Sequence, residues 1–423
     1  MDAVWMLRGL SVVGLLCLLG LAWLISEDRR SISVRLVAWG MGLQLLFGLL
    51  VLRTPFGEPF FARVKTGFDV ITDASTTGAA FLFGNLTKFF LVESVLTPGP
   101  GGMVTEAPFA VSAVLAFKVL PLIIFVSGLA AILQHLRVIQ TVVRGMAWLM
   151  RRTMGTSGAE TVSASLLVFL GIESVSAVST YLRRMTRSEI FTIMTAFLAT
   201  IAVSVMVTYA SFGAAPGHLL AASLMSAPAA LVFAKLLVPE TGTPETSGAV
   251  KVAIEVESHS VFDAAARGAS LGLNMALQVG ALLIVFVGLI YLLDLVTTGV
   301  TGYPLTGLLG WVFRPFAFIM GVSWADIGPV SELLATKSVF NEFLAYEQLQ
   351  PLIAEGTLQP RSVTIVTYAL CGFANPGSLG IMIGAMAGMA PERRAEVAQL
   401  SVKAFVAGTF ACFATACVAG LLT

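Results

Sequence analysis

The stretch Leu334-Ala-Thr-Lys-Ser-Val-Phe-Asn-Glu-Phe-Leu-Ala-Tyr346 sets a lysine and an Asn-Glu pair inside sequence otherwise apolar enough for a bilayer. Further on comes Tyr368-Ala-Leu-Cys-Gly-Phe-Ala-Asn-Pro-Gly-Ser-Leu-Gly-Ile381, an apolar segment interrupted by Asn375-Pro376-Gly377-Ser378. Ionisable groups at membrane depth are costly and are kept where they face a cavity, a solute or an ion path. A helix broken within the bilayer is tolerated where its freed backbone lines such a cavity. Together the two segments point to a transported polar solute.

Composition fixes the class. The chain of 423 residues is 57% hydrophobic and 12% charged, with a mean hydropathy of +0.91. Soluble domains carry about twice that share of charge, so this is an integral membrane protein. A net charge of +1 lacks the basic surface that nucleic-acid binding requires. Cys17, Cys371, Cys412 and Cys417 lie in apolar segments without CxxC spacing and read as small buried hydrophobes. His135, His218 and His259 form no ligand pattern, and no cofactor is expected.

A bilayer-spanning helix needs roughly 20 apolar residues. Eight segments qualify: 9–26, 35–52, 110–134, 190–212, 218–237, 272–296, 362–387 and 400–422. Basic residues mark the cytoplasmic side. Arg29, Arg30 and Arg35 follow the first span, and Arg137, Arg144, Arg151 and Arg152 follow the third. Arg183, Arg184 and Arg187 precede the fourth, and Arg393 and Arg394 separate the last two. One topology satisfies all of these, with both termini outside. Residues 54–75 read as an amphipathic helix in the interface, and 240–262 as a polar cytoplasmic loop. Segments 155–182 and 316–350 each start and end on one side and read as re-entrant hairpins, from the cytoplasm and from outside respectively.

The expected fold is therefore an all-α polytopic membrane protein, with eight transmembrane helices, interfacial helices and two re-entrant hairpins in inverted repeats. Hairpin, broken span and span occur twice, as transport halves 155–237 and 316–423. The rest, 1–109, 110–154 and 238–315, would form scaffold and connections. In inverted-repeat carriers the solute sits near the midplane where the halves meet. Candidate groups there are Glu173 on the first hairpin and Asn341 and Glu342 on the second, with Thr200 and Ser204 in the fourth span and Asn375 and Ser378 in the seventh. A carboxylate beside a carboxamide suits a ligand bearing several hydroxyls. Structural alternatives stand beside these: Glu342 paired with Lys337, Asn375 as a helix cap, and Thr200 and Ser204 back-bonded to their own helix. Phe373 reads equally as packing or as a stacking wall.

The chain resembles the concentrative nucleoside transporter family over nearly its whole length. The likeness is carried by Gly78-Ala-Ala-Phe-Leu-Phe-Gly84, Val119-Leu-Pro-Leu-Ile-Ile-Phe125, Gly155-Thr-Ser-Gly-Ala-Glu160 and Thr186-Arg-Ser-Glu189. His218-Leu-Leu-Ala-Ala-Ser-Leu-Met-Ser-Ala-Pro228, Ala390-Pro-Glu-Arg-Arg394 and the two opening segments complete it. The resemblance implies a homotrimer in a bacterial inner membrane, each protomer moving nucleoside inward with a sodium ion or a proton. By similarity Glu342, Asn375 and Ser378 would hold the ribose. Glu173, Val205 and Phe373 would surround the base, and Thr200, Ile201 and Ser204 would lie at a cation site.

The departures are specific. The family's first hairpin typically reads Gly-Gln-Thr-Glu-Ala-Pro, whereas this chain has Gly171-Ile172-Glu173-Ser174-Val175, one residue shorter. A sodium-binding Asn that usually precedes it is replaced by Leu167, or by Leu166 with the gap placed otherwise. The ribose half is retained, while the base half and the sodium site are altered. Inward cation-coupled symport of nucleosides is the leading expectation, with a proton favoured over sodium as the coupling ion. A modified nucleoside or another polyhydroxylated solute is the alternative ligand, and an intramembrane enzyme or a non-transporting receptor is the alternative class.

Overall fold

The computed structural model describes residues 2–55, 57–87, 90–92, 95–99, 102–106, 109–111, 115–172, 175, 179–247 and 258–423. The first part holds helices α1 (Asp2–Leu24), α2 (Val34–Leu52) and α3 (Gly57–Phe83), strands β1 (Phe90–Val92), β2 (Val95–Gly99), β3 (Gly102–Glu106) and β4 (Phe109–Val111), then α4 (Leu115–His135) and α5 (Val138–Met154). The first repeat comprises α6 (Gly158–Leu170), α7 (Ser179–Leu182), α8 (Arg187–Ala199), α9 (Val203–Ser211) and α10 (Pro216–Leu237). After α11 (Val261–Thr301) and α12 (Leu305–Ile319), the second comprises α13 (Ile327–Val339), α14 (Glu342–Ala354), α15 (Pro360–Leu370), α16 (Pro376–Met389) and α17 (Arg394–Leu422).

Seven of the described spans are long and apolar enough to cross a membrane: α1, α2, α4, α8 with α9, α10, α11 and α17. The eighth expected span is the pair α15 and α16, each too short alone. Hairpin, broken span and span recur in order, and the two repeats interlock. Their last helices, α10 and α17, pack on each other, and each also packs on both broken spans. The core lies there. Buried alanines, Ala221, Ala222, Ala229 and Ala230 on α10 and Ala404, Ala407, Ala411 and Ala414 on α17, allow close helix approach. Polar groups join the layers: Gln44 Nε2 donates to Thr415 Oγ1 at 2.8 Å, and Ser223 Oγ to the Ile201 carbonyl at 3.3 Å.

Two of the motifs that carry the resemblance are helix starts. Ser157 and Glu160 form a capping box on α6, and Thr186 and Glu189 form another on α8. Each box satisfies backbone N–H groups that a helix end leaves bare. The boxes are joined, since Ser157 Oγ donates to Glu189 Oε1 at 2.5 Å. Buried Lys235 of α10 bridges Glu160 at 2.7 Å and Glu240 at 3.1 Å. Glu27, between α1 and α2, meets Arg187 at 3.1 Å and Lys403 at 2.8 Å. Burial alone would raise its carboxyl, but hydrogen bonds from Arg187 and Lys403 hold it below the usual range. These ties gather the ends of α1, α6, α8, α10 and α17 on the arginine-rich side.

Several expected boundaries move. The helix expected at 54–75 begins at Gly57 and runs to Phe83. The third span starts at Leu115, because part of its expected start forms antiparallel strands: β1 pairs β4 and β2 pairs β3. Helix α11 is 41 residues long, well beyond 272–296, and it starts inside the expected loop 240–262. It packs closely on α4, since a Cβ at Gly272 would lie 2.7 Å from Ile124 Cα. The second hairpin is α13 and α14, starting later than residue 316, because α12 is a separate helix packed on α13. The described part of the first hairpin's return arm is the single turn α7.

The broken spans cross at their breaks. A Cβ on Gly372 would meet the Leu198 carbonyl at 3.0 Å and the Ala199 carbonyl carbon at 3.1 Å, with Cys412 Sγ closer still. Gly372→Val should therefore cost about 1–3 kcal/mol from overpacking and lower the thermal midpoint of the detergent-solubilised protein. Gly388→Ala, which has open space around it, should leave the midpoint unchanged.

Candidate functional site

Neither break is made by an intrahelical proline. Helix α8 ends at Ala199, Thr200 and Ala202 are extended, and α9 resumes at Val203. The second break spans Cys371 to Asn375. The sequence placed the interruption at Pro376-Gly377, but Pro376 is the first residue of α16, where its missing N–H costs nothing. Asn375 is the cap: its Oδ1 accepts from the Ser378 N–H at 2.8 Å. Asn341 does the same for α14, accepting from the Leu344 N–H at 2.9 Å. Glu342 is thus the first residue of a helix, where the dipole favours a negative charge.

The two capped ends converge. Glu342 is 6% exposed. Its Oε2 accepts from Asn375 Nδ2 at 2.6 Å, and its Oε1 from the Tyr209 hydroxyl at 2.7 Å. A carboxylate offers about four lone-pair sites, so capacity for ligand hydroxyls remains. Tyr209 is locked from behind, its ring stacked on Tyr346 at 4.3 Å and 18°. Tyr346 in turn donates to the Thr367 carbonyl at 2.8 Å.

Lys337 does not pair with Glu342. Its Nζ donates to the Ala369 carbonyl at 2.7 Å, near the end of α15, and lies 6.0 Å from the Phe413 ring centre. Among the described residues no ion pair joins it to a carboxylate, so Lys337 serves to satisfy a broken helix end.

A cavity of about 120 Å³ lies over this network. Asn341, Glu342, Asn375, Ser378, Phe373 and Val205 all line it. Glu173 lies outside the described residues. Phe373 packs on Phe197 at 5.5 Å and, with Ile172 and Val205, gives an apolar wall. Thr200, Ile201 and Ser204 do not line the cavity. Thr200 Oγ1 donates to its own helix at Ala196 O, 2.8 Å, as the structural alternative had it, and the Ile201 carbonyl accepts from Ser223. Among the described residues no cluster of three or more His, Cys, Asp or Glu could hold a metal ion.

Sequence reasoning missed Tyr209 and Gln278. Tyr209 follows Val205 by four positions and so shares its face of α9, which was the available signal. Gln278 is a carboxamide in the otherwise lipid-grade helix α11, and it also lines the cavity.

With this geometry in place, the comparisons with known proteins agree along the chain. The family model described as Na+ dependent nucleoside transporter N-terminus matches residues 13–86, and its C-terminus counterpart matches 218–420. A model described as Nucleoside recognition matches 116–216. Solute carrier family 28 member 3 of Mus musculus is 39% identical over 97% of this chain, which spans 58% of that relative's length. Nucleoside permease NupC of Helicobacter pylori is 34% identical over 97% of both. The solved structure of CNTnw in an inward-facing substrate-bound state superposes with a TM-score of 0.88, at 37% identity and 98% coverage of each chain. The fold and relatives are those of transporters rather than enzymes, and the chain belongs to the concentrative nucleoside transporter family.

Proposed function

We propose that the protein carries nucleosides inward across a bacterial inner membrane by alternating access, as a multi-pass homotrimer that couples each solute to a cation moving down its gradient. The observation that carries this is the Glu342 carboxylate, seated on a helix start and bonded by Tyr209 and Asn375 within a cavity that is otherwise largely apolar. Ribose offers vicinal hydroxyls to such a carboxylate, and a planar base suits a wall made by Phe373, Val205 and Ile172. Ser378 and Asn341 extend the polar side of the cavity. Family membership supports the same ligand class.

The coupling ion is proposed to be a proton. A sodium site requires several oxygen ligands, and both candidate positions for the family's asparagine, Leu166 and Leu167, are apolar and buried. Thr200 and Ile201 spend hydrogen bonds within the fold. Membrane-embedded carboxylates are the usual members of proton relays, and Glu342 and Glu173 are the candidates here.

Glu342→Gln should weaken nucleoside binding by about ten- to hundredfold, the worth of a charge-assisted hydrogen bond, measured as the apparent KM of uptake and by equilibrium binding. Wild-type affinity in that variant would remove Glu342 from sugar recognition. In proteoliposomes an inward proton gradient without sodium should drive accumulation above equilibration. Accumulation that appears only with an inward sodium gradient would assign the coupling to sodium, held by backbone oxygens and Thr200.

A further inference from the structure

Helix α11 carries none of the Glu342 network, yet six of its residues, Met275, Gln278, Val279, Leu282, Leu283 and Phe286, line the cavity. Their spacing of three and four places them along one helical face. Five are apolar. The polar side chains lining the cavity among the described residues are Tyr209, Asn341, Glu342, Asn375, Ser378 and Gln278. The first five come from α9, the hairpin tip and α16, gathered around the carboxylate. Gln278 comes from a different element, α11.

A nucleoside has two polar ends. The Glu342 network takes the hydroxylated end, which leaves the carbonyl and N–H groups on the edge of the base. Buried without partners, those groups lose the hydrogen bonds that water gave them, and binding weakens. The described residues near the apolar wall offer no side-chain partner, since Ile172, Val205, Phe197 and Phe373 cannot hydrogen-bond. Gln278 can. Its carboxamide has both a carbonyl acceptor and two N–H donors, and rotation about its terminal torsion presents either one. An amino base and an oxo base are therefore equally satisfied. A glutamine in a lipid-grade span is also best accounted for by a cavity in front of it, where its exposed side chain can meet a polar solute.

We propose that Gln278 is the base-recognition residue contributed by α11, hydrogen-bonding the polar edge of the nucleobase and accepting purines and pyrimidines alike. The assignment rests on the nucleoside reading above. The test is equilibrium binding of uridine, adenosine and ribosylbenzene, a C-riboside whose ring has no hydrogen-bonding group, to full-length protein in nanodiscs. Gln278→Leu should weaken uridine and adenosine by roughly three- to tenfold, the worth of a neutral hydrogen bond, and leave ribosylbenzene unchanged. Retained ribosylbenzene affinity also shows that the variant is folded. Equal losses for all three ligands, or no loss for uridine and adenosine, would overturn the assignment. A wild type that binds none of the three overturns the nucleoside reading itself, an outcome visible before any variant is compared.

Discussion

The structure depends on the need to satisfy a carboxylate and two interrupted helices away from water. Breaking a span frees backbone donors and acceptors, and burying a charge removes its hydration. Each problem is solved here with the groups that the other leaves. Asn375 caps α16 with its oxygen and bonds Glu342 with its nitrogen. Lys337 turns from the carboxylate to a carbonyl of α15. Tyr209, on the helix that follows the first break, bonds the other carboxylate oxygen. The same contacts that stabilise the broken helices leave one acidic group facing a cavity, so fold and function share one set of interactions.

The interlocked repeats explain why that arrangement holds. Helices α10 and α17 meet along alanine-rich faces, and both broken spans lean on the pair. The breaks then lie side by side, close enough that Gly372 sits against the Leu198 carbonyl. At the arginine-rich ends, paired capping boxes and the Lys235 bridges hold α6, α8 and α10 together. A shift of either break would disturb these layers as well as the cavity. Helix α11 differs: its surface is largely exposed, with Ile284 at 78% and Val300 at 82%. The cavity therefore has one wall built into the core and another on an element the core does not enclose.

Much of this was legible in the residues. Polar groups inside apolar sequence marked Asn341, Glu342, Asn375 and Ser378, and the structure brings all four to one cavity. Hydropathy and arginine placement gave the spans, because bilayer crossing is a constraint on composition and length. The misses follow from what such patterns do not encode. An apolar run does not say where a helix ends, so α11 and the break before Pro376 were misplaced. The strands at 90–111 arise from cross-strand pairing, which hydropathy does not register. Tyr209 and Gln278 needed the three-dimensional crossing of helices far apart in sequence. Lys337 looked like a partner for Glu342 only because it is near in sequence, whereas a broken helix end claimed it.

The account's central claim is orientation: sugar on Glu342 and Asn375, base against Phe373, Val205 and Gln278. Anomalous diffraction from crystals soaked with 5-bromouridine tests it directly, because bromine marks the base and the hydroxyls mark the sugar. The account predicts a single bromine peak on the Phe373–Val205–Gln278 side, with ribose density within hydrogen-bonding distance of Glu342. A bromine peak beside Glu342, or one outside this cavity, would contradict it.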